Sequence, residues 1–120
     1  MLIPKKYQHI QFIPPADVAR YVAEGLRLHR EFGRGGTPVG IARARDLKNR
    51  RRLSPRTIQR MCSFFARHEV DKRGKDFGNP KHPSNGLIAW LLWGGDPGRK
   101  WAEHVLKQMK TADAHSSTRR

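Results

Sequence analysis

Eight basic residues crowd the stretch from Gly40 to Arg60: Arg43, Arg45, Lys48, Arg50, Arg51, Arg52, Arg56 and Arg60. One acid, Asp46, stands among them. All but Lys48 are arginine. A guanidinium forks onto phosphate oxygens and guanine edges, where an ammonium is only a point charge. The chemistry this predicts is phosphate neutralisation by a nucleic-acid-binding face. Its expected members are Arg43, Arg45, Lys48, Arg50, Arg51, Arg52, Arg56, Gln59, Arg60, Ser63 and Arg67. Of these, Arg56, Gln59, Arg60 and Ser63 would reach base edges, and Arg50, Arg51 and Arg52 would hold phosphates. The competing reading is a solvated charged surface.

Other constellations carry less. His68-Glu69-Val70-Asp71, with Asp76 and His82 after it, combines imidazoles and carboxylates near a loop. His68 and Asp71 could ligate a divalent metal that activates water against a phosphodiester, with Glu69 as the catalytic carboxylate. The spacing fits no H-E-x-x-H zinc pattern. In the alternative reading His68 is a core histidine, and Glu69 and Asp71 partner arginines. Gly33-Arg34-Gly35-Gly36-Thr37 is similar to a phosphate-cradling loop but lacks the G-x-x-x-x-G-K-[ST] pattern. Trp90, Trp93 and Trp101 could stack bases, yet their apolar surroundings favour core packing. Cys62 sits on an apolar arc and predicts no nucleophile. No cofactor is implied.

The elements that must position these residues follow from periodicity and capping. Residues 1–16 read as an extended arm packed by Ile10, Phe12 or Ile13 and stopped by Pro14-Pro15. A first helix is expected from Asp17 to Phe32, with Val18, Tyr21, Val22, Leu26, Leu28 and Phe32 on one arc. Thr37-Pro38 and Ser54-Pro55 each place a capping hydroxyl before a proline at the first helical position. They open a second helix to about Asn49 and a third to about His68. On the third, Ile58, Met61, Cys62, Phe64 and Phe65 cover one side, while Arg56, Arg60, Ser63 and Arg67 stack on the other. A loop from Asp71 to Pro83 leads to a fourth, apolar helix from Ser84 to Trp93. A fifth, capped at Asp96-Pro97, is expected to end near Lys110.

The expected fold class is all-α: one compact domain of four to five short helices over residues 17–110, with helices two and three as a helix-turn-helix-like basic pair. The connector between that pair is longer than the usual turn and lacks its glycine. Residues 111–120 read as a disordered basic tail. The chain has 120 residues and a formal charge of +15, which bears on partners more than on fold. The longest apolar run, Leu87 to Trp93, is far short of the ~20 residues a spanning helix needs, so no membrane partner is expected. Met1 to Lys6 has no signal-peptide apolar region, and the single cysteine implies no oxidising compartment.

Several stretches also resemble a small domain encoded by tailed bacteriophages. They are Gly33 to Thr37, Ala42 to Leu47, Leu53 to Ile58, Ser63 to Lys72, Pro83 to Trp90 and Leu92 to Gly98, with Trp101-Ala102 beyond. Similar stretches occur as standalone phage proteins and attached to head-maturation proteases and other phage polypeptides. The resemblance covers about Asp17 to Met109. It implies a phage origin and action in the host bacterial cytoplasm or in association with the virion, and it carries no activity. The protease part of the longer polypeptides lies outside this domain.

The leading expectation is therefore a phage-encoded protein that binds DNA or RNA mainly through phosphate. The second is a virion or capsid-assembly component, or an inhibitor that docks on an acidic host protein. The third is a metal-dependent nuclease.

Overall fold

The computed structural model describes residues 3–79 and 81–118. Its helices are α1 (Ala16–Phe32), α2 (Pro38–Lys48), α3 (Pro55–His68), α4 (Asn85–Leu92) and α5 (Gly95–Thr118). Short 3-10 turns lie at Lys5–Tyr7 and Glu69–Arg73. No strand occurs among the described residues, and the all-α expectation holds. None of the described helices is long and apolar enough to cross a membrane.

Helix starts follow the capping chemistry. The Thr37, Ser54 and Ser84 hydroxyls accept the backbone N–H of Gly40, Thr57 and Leu87 at 3.0, 3.1 and 3.0 Å. Each satisfies one of the donors that a helix start leaves without an internal partner. Asp96 does not cap. Helix α5 begins one residue earlier, at Gly95, and this frees the Asp96 carboxylate for a different task. It accepts the indole N–H of buried Trp90 at 2.9 Å and pairs with Lys72 at 2.9 Å.

α1 packs on α4, α2 and α5, while α3 lies mainly on α5. Gly25 makes the α1–α4 contact possible. A Cβ there would sit 2.7 Å from Leu92 N and 2.9 Å from the Leu91 carbonyl carbon, so the backbones meet only because glycine has no side chain. The core joins Val18, Val22, Ile58, Met61, Phe65, Ile88, Trp90 and Leu92. Phe65 meets Trp90 edge-on, with centroids 4.8 Å apart. Lys72 Nζ stands 4.7 Å from the Trp90 ring centre and adds a cation–π contact. Tyr21, expected on the buried arc of α1, is exposed, with its ring lying over Gly95.

Two expectations about the chain ends are corrected. The arm is not extended throughout: it turns at Lys5–Tyr7 and buries Tyr7 as well as Ile10 and Phe12. Helix α5 does not stop near Lys110 but continues to Thr118. Thr111 to Thr118 is therefore helical rather than a disordered tail, and residues 119 and 120 lie outside the described ones. The reason is a partner far away in sequence. Val105, Met109 and Ala112 keep the buried stripe going, and the Tyr7 hydroxyl donates to Asp113 at 2.5 Å. The Tyr7 hydrogen bond, then the Lys6 ammonium, hold the Asp113 carboxyl below the usual carboxylate range.

The basic pair is also arranged differently. The order helix, connector, basic helix stands, but α2 and α3 do not pack on each other as in a helix-turn-helix; α2 rests on α1 and α4. The connector turns at Arg50, whose φ of 50° is the left-handed conformation that glycine usually supplies. Its guanidinium Nε donates to the Pro14 carbonyl at 2.8 Å. The Leu53 N–H is taken by Phe12 O at 2.9 Å. These bonds tie the connector to the N-terminal arm.

Asp96 yields a pH prediction. The Lys72 hydrogen bond, then the Trp90 indole, lower its pKa in the folded chain. A lowered carboxylate stabilises the fold above its unfolded pKa, near 3.9, and that contribution is lost as pH falls through the folded value. D96N keeps an acceptor for Trp90 and drops the charge. In urea unfolding, wild type should exceed D96N in stability at pH 6, and the gap should close below about pH 4. A gap unchanged down to pH 2 would contradict the assignment.

Candidate nucleic-acid interface

The α3 face predicted from sequence lines a groove of about 1050 Å³. Its rotation is set from below. Thr57, Ile58, Met61, Phe64 and Phe65 are buried, so Arg56, Gln59, Arg60, Ser63 and Arg67 must face outward. All five are exposed and all five line the groove. The opposite wall is the starts of two helices: Thr37, Val39 and Gly40 from α2, and Asn85 and Gly86 from α4. Phe64, Ala89, Leu92 and Trp93 add apolar lining.

The helix starts supply partial positive charge from backbone N–H groups, and the α3 wall supplies guanidinium charge. Arg34 fixes one start relative to the other. From the loop before α2 it donates to Asn85 Oδ1 at 2.5 Å and to Pro83 O at 2.7 Å. The Gly33 to Thr37 loop, read from sequence as a possible phosphate cradle, thus serves as a strut and also contributes Gly35, Gly36 and Thr37 to the groove. Asp71 is the single carboxylate among the groove residues, and its Oδ2 meets His68 Nδ1 at 3.0 Å. Arg56, Arg60 and Arg67 have no carboxylate partner among the described residues.

The other expected basic residues are not gathered here. Asp46 engages Arg43 at 3.4 Å and Arg51 at 3.2 Å. Arg50 is committed to Pro14. Arg45 and Lys48 border a smaller hollow between the end of α1 and α2, with His29 and Arg30. Arg52 is exposed and lines neither hollow. The basic block is contiguous in sequence but divided in space.

Nor do the nuclease candidates converge. His68 and Asp71 share the groove, while the Glu69 carboxylate is taken by Arg99. No cluster of three or more metal-ligating side chains occurs among the described residues. His68 is not a core histidine either. Its side chain is 40% exposed and its ring stacks on Phe64. Cys62 is half-buried on α3, and burial pushes its thiol up. A protonated thiol is a poor nucleophile.

Sequence reasoning missed the second wall. Asn85 and Gly86 carried a signal, because Ser84 marks a helix start and helix starts attract anions. Nothing local placed that start opposite α3. Trp93, expected in the core, does pack against it but is only half-buried and also lines the groove.

Comparison with known proteins gives no match: no family model, no curated protein and no solved structure aligns with this chain.

The groove's charge makes a prediction that does not depend on any polymer. At low salt, inorganic tripolyphosphate should raise the Tm. At ten times its Kd the stabilisation is about 1.4 kcal/mol. The doubly reversed variant R60E/R67E should show no such rise, and R45E/K48E should retain it. Equal shifts in both variants, read by thermal scan, would place the anion elsewhere.

Proposed function

We propose that this chain is a phage-encoded, basic nucleic-acid-binding protein acting in the host bacterial cytoplasm, and that it grips DNA or RNA mainly through phosphate. One observation carries the reading. Arg56, Arg60 and Arg67 are exposed in a row along one groove wall, without a carboxylate partner among the described residues. Elsewhere the acids are spent on neighbouring cations. Glu24 and Glu31 flank Arg27, Asp46 serves Arg43 and Arg51, and Glu69 and Glu103 hold Arg99. The formal excess of +15 is therefore not spread evenly, and part of it is concentrated on α3.

The geometry also supports a division of labour within α3. The rise of an α-helix spaces Arg56 and Arg60 by about 6 Å and Arg60 and Arg67 by about 10 Å. Such a row suits phosphates spaced along one strand, with one skipped between Arg60 and Arg67. Gln59 and Ser63 lie between the arginines on the same wall, placed to accept or donate hydrogen bonds to whatever the arginines hold.

Binding to a labelled oligonucleotide, read by fluorescence anisotropy from 50 to 200 mM salt, tests the reading. Wild-type affinity should fall steeply with salt, because each phosphate neutralised releases counterions. Reversing Arg56, Arg60 and Arg67 together to Glu should weaken binding at least a hundredfold at 50 mM and flatten the salt slope by about two to three units. An R43E/R51E variant should lose far less, because those side chains are already paired with Asp46. If wild type binds weakly to DNA and RNA alike and is gone by about 150 mM salt, the basic face is a dock for an acidic protein instead.

A further inference from the structure

A basic helix that reads duplex DNA must be convex and project into the ~12 Å major groove. Here the α3 arginines are exposed but do not stand alone on a convex surface. They form one wall of a recess whose other wall, built from the starts of α2 and α4, stands opposite. A duplex can bring its phosphates to such a wall, but it cannot lay a base flat against the lining while its bases stay paired. A single strand can.

The recess also carries the apolar surface that unpaired bases need. His68, Phe64 and Trp93 form a continuous aromatic column. Phe64 lies 4.5 Å from His68 with planes 25° apart, and 4.9 Å from Trp93 with planes 13° apart. All three line the groove. The Asp71 carboxylate at Nδ1 fixes the imidazole plane, Phe64 backs one face of the ring, and the side chain is 40% exposed. Across the recess, Val39 is 60% exposed, an apolar side chain held in water on a wall otherwise made of polar groups and glycine. Base stacking on histidine and other aromatic rings, beside a positively charged track for the backbone, is how proteins hold unpaired strands.

We propose that the groove binds single-stranded nucleic acid, with a base stacked on the outer face of His68 at the end of the Phe64–Trp93 column and phosphates running along Arg56, Arg60 and Arg67. This rests on the nucleic-acid reading above and narrows it to one strand state. The arginine row is about 16 Å long by helical rise, so the footprint is short, about three to five nucleotides.

The experiment uses the full chain and a 12-nucleotide probe in four forms: single-stranded DNA, single-stranded RNA, the matching DNA duplex, and a single strand with abasic sites replacing the central bases. Both single strands should bind at least tenfold more tightly than the duplex, and the abasic strand should lose about tenfold against its parent at equal phosphate count. H68A should lose about tenfold on the intact strand and little on the abasic one, with an unchanged salt slope. H68F, which keeps a ring, should restore binding. Duplex binding as tight as single-strand binding, or an abasic strand held as well as its parent, would overturn the proposal while leaving phosphate binding intact. The abasic comparison needs no variant, so it stands even if H68A misfolds. Failure of all four probes to bind would overturn the nucleic-acid reading itself.

Discussion

Everything about the groove depends on the rotation of α3, and the aromatic core sets that rotation. Phe65 and Phe64 are adjacent in sequence but serve different neighbours. Phe65 meets Trp90 edge-on inside, whereas Phe64 lies flat between His68 and Trp93 at the groove. With Ile58 and Met61 fully buried, the helix cannot turn without exposing apolar surface at about 25 cal/mol per Å². The arginines are held outward by the same constraint. Burying one without a partner would cost several kcal/mol, so the charged face and the apolar face reinforce one another.

Charge is then sorted rather than merely abundant. Nine of the ten acids stand within ion-pair reach of a Lys, Arg or His, and the tenth, Asp17, accepts the backbone N–H of Val18. Asp96 is the most consequential, because it answers the buried indole N–H of Trp90 and holds Lys72 beside that ring. In the groove Asp71 is occupied by His68 and opposes no arginine. An anion entering the groove meets guanidinium groups with no carboxylate to displace, which removes a competitor that surface arginines usually have.

What the sequence revealed and what it hid divide by range. The hydroxyl caps at Thr37, Ser54 and Ser84 and the 3.6-residue stripe on α3 are local, and each is written within a turn of chain. The same locality exposes Arg56, Gln59, Arg60, Ser63 and Arg67 as one face. The helical C-terminal end is not legible locally because the residues after Lys110 are polar, while the partner that orders them, Tyr7, lies 106 residues before Asp113. The far wall of the groove was hidden for the same reason. It comes from residues near positions 37 and 85, and a strut from Arg34 to Asn85, 51 residues on, holds those two starts together. The division of the basic block could not be read from spacing alone, since Asp46 reaches Arg51 across a connector whose turn at Arg50 uses a left-handed non-glycine residue.

That turn bears on why a groove exists at all. Two amphipathic helices joined by a short connector ordinarily close on each other at 8–10 Å and bury their facing sides. Here α2 is drawn to α1 and α4 and α3 to α5, leaving the space between them unfilled. The opening forgoes packing that the chain could have used: Val39 stays in water and Trp93 only half-buried. Gly40 and Ala89 keep the lining low, whereas a Cβ at Gly35 would run into Ile88 and one at Gly86 into Asp71. Three mutually repelling arginines along one wall add to the cost. A small domain with a modest core that leaves apolar rings and unmatched cations facing one recess, and holds a left-handed arginine at the bend between α2 and α3, is trading stability for a surface. That trade is intelligible if an anionic, partly aromatic ligand returns the lost contacts on binding.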